Sequence, residues 1–152
     1  MFFILCGCEV KTTFSPILDN ISFNADMLYG KHSYSAEVTI ENDNIFLTVI
    51  EPSEIKDLIL HLNNDTFFVQ YKDTTYSREI KDISTNEITS VLYNVFKDAK
   101  TKSFVNRQEN CTIKGVIIGY DYLFIFSPTG LPVELNIQQL NLNIKFNNVT
   151  LI

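Results

Sequence analysis

Alternation with a period of two runs through most of this 152-residue chain, and it restricts the fold more than any other feature. In "SFNADMLYG", Phe23, Ala25, Met27 and Tyr29 fall on one face of an extended strand. After a Gly30-Lys31-His32 turn, "SYSAEVTIE" places Tyr34, Ala36, Val38 and Ile40 on one face. Asn42-Asp43 marks the next turn, and "NIFLTVI" resumes the alternation. Short strands joined by tight polar turns make an antiparallel meander, because only antiparallel neighbours can be joined by two-residue loops. "EPSEIKD" interrupts with Pro52 and reads as a helical turn or loop. Strands return at "LILHL", "TFFVQYK" and "TYSREI", with Asn63-Asn64-Asp65 and Asp73-Thr74 as turns. They return again at "CTIKGVIIG", "DYLFIFS", "PVELNIQ" and "LNLNIKF", with Ser127-Pro128-Thr129-Gly130 as a hairpin turn.

The period changes once. In "STNEITSVLYNVFKDAK", Ile88, Val91, Leu92, Val95, Phe96 and Ala99 are spaced as one stripe of an amphipathic helix. Ser84 and Glu87 have capping-box spacing, and Lys97, Lys100 and Lys102 suit the negative pole at its C-terminal end. The expected class is α+β, mainly antiparallel β, with one main helix. No internal repeat or linker divides the chain, so residues 21–152 read as a single domain.

Composition removes several functions. The formal charge is −6, which argues against nucleic acid, since phosphates require clustered Lys and Arg. It argues equally against purely electrostatic docking on an anionic bilayer. No apolar run reaches the ~20 residues of a spanning helix. His32 and His61 stand apart without metal-ligand spacing, and no P-loop, nucleophile elbow or dinucleotide fingerprint occurs. The expectation is a non-enzymatic protein without metal or cofactor. Arg78 and Arg107, the only arginines, are candidate guides for a lipid phosphate or an acidic partner, or simple surface charges. Cys111, at a strand start, reads as a small buried hydrophobe.

The opening "MFFILCGCEV" has three readings: a core strand, a cysteine pair, or the end of an export signal. One intervening residue between Cys6 and Cys8 is poor spacing for a zinc knuckle or a redox turn. Leu5-Cys6-Gly7-Cys8 resembles the bacterial lipobox, in which a thiol takes a diacylglyceryl group as a thioether. That resemblance implies that residues 1–7 are signal remnant and the true start lies upstream. It makes Cys8 the lipidated residue and residues 8–20 a tether, and puts the domain at the outer face of the cytoplasmic membrane. The competing reading is a hydrophobic first strand with two incidental cysteines.

In "YDYLFIFS", Tyr122, Phe124 and Phe126 lie on one face while Leu123 and Ile125 lie on the other, and "GVIIG" is also apolar on both faces. These strands are expected to be covered on both sides or to face a cavity. The element order, with Pro52 and Leu58 after the third strand, one mid-chain helix and Gly130-Leu131-Pro132 in a late hairpin, resembles the LolA/LolB-like lipoprotein-carrier superfamily. The resemblance runs from about Ser22 to the C-terminus. It implies a curved incomplete barrel of roughly 9–11 strands enclosing a cavity for an acyl chain or a lipoprotein. The residues expected to line it are Val91, Leu92, Val95, Phe96, Phe124 and Phe126. The alternative is an envelope interaction module with a filled core that holds or regulates a protein such as a cell-wall enzyme. The oligomeric state stays open.

Overall fold

The computed structural model describes residues 13–63, 66–79, 87–105 and 109–152; Cys8, Ser84 and Arg107 lie outside them. The first half of the chain forms β1 (Thr13–Phe14), β2 (Ile21–Tyr29), β3 (His32–Glu41), β4 (Asn44–Glu51), β5 (Ile59–Leu62), β6 (Thr66–Tyr71) and β7 (Thr74–Glu79). Helix α1 (Ile88–Ala99) follows, then β8 (Phe104–Val105), β9 (Cys111–Ile117), β10 (Tyr120–Phe126), β11 (Pro132–Ile137) and β12 (Leu142–Leu151). Ten strands form one open antiparallel sheet in the order β7-β6-β5-β4-β3-β2-β12-β11-β10-β9. It is two meanders joined where β12 pairs with β2, so every other neighbour is also a neighbour in sequence. The architecture is the mainly antiparallel, one-helix α+β fold that the alternation predicts.

Tight turns set the register. Asn42 and Asp43 have φ of 50° and 63° between the paired Glu41 and Asn44, the conformation that two-residue hairpins require. The second such turn is unusual. Ile117 pairs with Tyr120, leaving Ile118 at φ 50° and Gly119 at φ 82°. A β-branched residue is strained there, and Ile118 is 45% exposed, so burial compensates little.

This turn also explains why "GVIIG" is not covered on both faces, as its composition leads one to expect. The run ends in a hairpin on the edge strand β9, where Val116 stays 62% exposed. On β10, Leu123 and Ile125 are only half-buried.

The helix explains the shape of the sheet. It lies against β4 and β5 on one side and β9 on the other. β5 and β9 are seven places apart in the strand order. In a flat sheet with strands about 4.8 Å apart they would be separated by about 34 Å. A 12-residue helix is only about 18 Å long. Both contacts can exist only if the sheet curls around the helix. The enclosed core contains a cluster of phenylalanines among its aliphatic residues: Phe124 lies 4.3 Å from Phe126, 5.6 Å from Phe96 and 5.5 Å from Phe146 between ring centroids. Phe23 meets Phe146 edge-on at 5.0 Å, an arrangement that suits the ring quadrupoles.

Polar contacts fix the helix at its C-terminal end. Tyr122, 2% exposed, donates its hydroxyl to Asp98 Oδ2 at 2.6 Å, and Lys102 donates to the same oxygen. Tyr122 sits directly opposite Gly115 on β9, and a Cβ at Gly115 would lie 2.5 Å from both the Tyr122 ring and Asp98 Oδ2. Glycine is therefore required for this clasp to close. Lys100 pairs with Asp43 in the β3–β4 turn and with Asp19 at 3.6 Å.

The structure departs from the sequence reading at three places. The tether read over residues 8–20 is docked from Thr13 onward: β1 pairs with β8, Ile17 N donates to Gly130 O at 2.8 Å, and Leu18 is 1% exposed. Apolar Phe14, Ile17 and Leu18, packed with the core, explain why this segment does not stay in water. Glu87, expected inside the helix as half of a capping box, is instead the N-cap, with extended backbone and no side-chain capping bond. His32, read as a turn residue, opens β3.

Two outcomes are expected. Ile118→Asn should raise stability by about 1 kcal/mol, because asparagine tolerates positive φ; chemical denaturation measures this. Tyr122→Phe should cost about 1–2 kcal/mol at neutral pH by removing a hydrogen bond to a carboxylate. Hydrogen bonds from Lys102 and then Tyr122 hold the Asp98 carboxyl below its usual 3.8, so its contribution is present above that pH and fades in stronger acid. Burial, with Asp98 beside it, pushes the Tyr122 phenol well above 10.0, so its contribution is full below pH 10 and fades above. A pH–stability profile of Tyr122→Phe should lose the alkaline decline and flatten the acid one.

Candidate functional site: an apolar trough beside the helix

The helix covers only part of the inner face. Following the register inward from β3, Val38, Leu47, Leu60, Val69 and Tyr76 form one continuous row across β3 to β7. The row begins fully buried at Val38 and Leu47, is half-buried at Leu60 and Val69, and ends at Tyr76, 49% exposed. Among the described residues the helix packs on β4, β5 and β9, and burial fades toward the outer strands β6 and β7. The result is an open trough with a cavity volume of 580 Å³, within the roughly 300–1,000 Å³ of small-molecule sites.

Each wall has a local origin. Met27 and Tyr34, directly paired on β2 and β3, form one wall with Tyr29. The 3-10 turn Ser53–Ile55 and the residues after it bring Ile55 and Leu58 to another. Val49 N donates to Leu58 O at 2.9 Å, and Tyr71 OH donates to Glu54 O at 2.8 Å, so this flap is tied to both β4 and β6. The remaining wall is the start of α1, contributed by Glu87, Ile88 and Thr89. Among the described residues two charged side chains reach the lining, Arg78 and Glu87, both exposed. The Arg78 guanidinium lies 5.4 Å from the Tyr76 ring centre, and its Nε donates to the Tyr76 hydroxyl.

Thr89 stands out chemically. It is 1% exposed, and its Oγ1 is, among the described residues, the one buried side-chain oxygen or nitrogen without a hydrogen-bond partner. Leaving a hydroxyl so costs about 1–3 kcal/mol. It belongs to the first turn of the helix, where the N–H groups of Ile88, Thr89 and Ser90 have no acceptor within the helix. Polar groups thus meet the trough at one place.

The six residues expected to line a cavity are placed elsewhere. Val91, Leu92, Val95, Phe96, Phe124 and Phe126 are at most 2% exposed and pack with one another in the closed core. Of these, only Phe96 borders a hollow, a small one of 90 Å³ near Leu18 and Ile45. The reason is the angle of the helix: its stripe faces the phenylalanine cluster, and only its first turn faces the trough. The residues that do line it, such as Leu60 and Val69, alternate like any half-buried strand. The available signal was β7, "TTYSRE", whose inward positions are Tyr76 and Arg78 rather than aliphatic residues.

Other candidates take structural positions. His61 lies on the outer face between Phe46 and Phe68, with ring centroids 4.1 and 5.4 Å away, and its Nε2 is 3.1 Å from Asn44 Oδ1. Burial lowers its pKa. Cys111 is buried at the start of β9, where its thiol donates to the Glu109 carbonyl oxygen at 3.7 Å. Among the described residues no group of three or more His, Cys, Asp or Glu is placed to hold a metal ion, and no helix is long and apolar enough to cross a membrane.

No protein-family model matches the chain, and no curated protein matches it. Among solved structures it is similar to a LolA superfamily protein from Nitrosomonas europaea, at 8% identity and a TM-score of 0.45, over 91% of this chain and 88% of that one.

Thr89→Val, which keeps the shape and removes the hydroxyl, should raise the stability of the ligand-free protein by about 1 kcal/mol, measured by thermal and denaturant unfolding. A loss of stability would mean that the hydroxyl has a partner within the fold.

Proposed function

We propose that this chain is a non-enzymatic lipid-binding protein that takes an acyl chain, free or carried on a lipoprotein, into the trough beside the helix. The observation that carries the reading is the inner-face row that runs from buried Leu47 to half-buried Leu60 and Val69, where the sheet opens into an apolar trough instead of closing over its core. Burying about a dozen methylenes there would contribute roughly 10 kcal/mol before ordering costs, enough for useful affinity. In this reading Cys8 carries a diacylglyceryl thioether, and two acyl chains hold the domain at the outer face of the cytoplasmic membrane. An acidic protein would then work beside an anionic bilayer without any basic patch. An interaction module with a filled core explains less, because it gives no reason for the trough to stay open.

The test separates trough from core. Val69→Trp should fill the trough and weaken displacement of a fluorescent fatty acid by at least about tenfold, with unchanged circular dichroism. Leu92→Ala, in the closed core, should cost about 2–5 kcal/mol of stability and leave affinity at saturating folded protein nearly unchanged. The reverse pattern would return the ligand to the core residues.

A further inference from the structure

The geometry points to a specific seat for the ligand's head: we propose that Thr89 Oγ1, with the N–H groups of the first helical turn beside it, binds the carbonyl or carboxyl oxygen of an acyl group whose tail lies in the trough. This rests on the acyl-chain reading above and adds which end of the ligand goes where.

Two independent observations meet at this point. The first is the N-terminus of a 12-residue helix, which carries partial positive charge and N–H groups that have no acceptor within the helix. The second is a threonine hydroxyl that is 99% buried, borders the trough and has no partner. A buried hydroxyl without a partner is rare in native folds and calls for a function. A hydrocarbon tail could not satisfy it, nor could the aliphatic side chains opposite. An oxygen acceptor could, receiving the Thr89 O–H while the helix dipole stabilises its charge.

The lining charges narrow the head group. Among the described residues Arg78 and Glu87, one of each sign, both stand on the wall, and neither singles out a full anion. The shared requirement is the acyl oxygen itself, which a free fatty acid and an acyl ester both provide. A ligand with no oxygen at its end would fit the trough and leave Thr89 unsatisfied.

The experiment measures the affinity of the full chain for dodecanoate, methyl dodecanoate and dodecane, in the natural protein and in Thr89→Val and Thr89→Ser. Thr89→Val should weaken the oxygen-bearing probes by about tenfold and leave dodecane unchanged, with no drop in melting temperature. Thr89→Ser should keep most of the affinity. A loss confined to dodecanoate would support the proposal with a free acid as the natural head group, and a loss for both oxygen-bearing probes would support it with acyl esters included. Equal binding of dodecanoate by the natural protein and Thr89→Val would overturn this inference and leave the trough reading standing. Failure of the natural protein to bind any of the three would overturn both.

Discussion

A single helix shared between distant strands shapes this molecule. Twelve residues contact both the β4–β5 region and the far edge β9, and the sheet curls to meet them. The clasp of Asp98, Lys102 and Tyr122 over Gly115 fixes one end of that arrangement, and Lys100 with Asp43 and Asp19 supports it. The apolar stripe of α1 then meets the ring cluster of Phe124, Phe126 and Phe146, which supplies the burial that a tryptophan-free core needs.

The trough follows from the same constraint. Helix α1 packs on β4, β5 and β9, and of its described residues Glu87 to Thr89 at its start border the trough over β5 to β7. Those strands shield what they can: the flap from Ser53 to Leu58 leans over one side, and Tyr76 and Arg78 fold together along the other. What stays open is aliphatic at the bottom and polar at the helix start. That polarity matches the acyl ligand proposed above, with the partnerless Thr89 hydroxyl at the polar end.

Much of the fold was legible because strand alternation and helix periodicity report inwardness directly. Phe23, Ala25 and Met27, or Ala36, Val38 and Ile40, point inward as their spacing required. The helix stripe was legible for the same reason. The site was not, because periodicity says that Leu60 and Val69 face inward but not whether anything lies over them. That depends on where α1 stops, which is decided by pairs 24 residues apart in sequence, such as Asp98 and Tyr122. Thr89 was invisible for a simpler reason: a threonine in a first helical turn is common, and only burial without a partner makes it informative. Ile118 misled in the other direction, since an apolar β-branched residue in a two-residue turn looks like strand.

The most direct measurement is mass spectrometry of the full chain purified without denaturant, first intact and then after lipid extraction. The account predicts one acyl-bearing molecule per chain held non-covalently, lost when Val69 is replaced by tryptophan. A chain that carries no such molecule, and takes none up when acyl lipids are supplied, would contradict it.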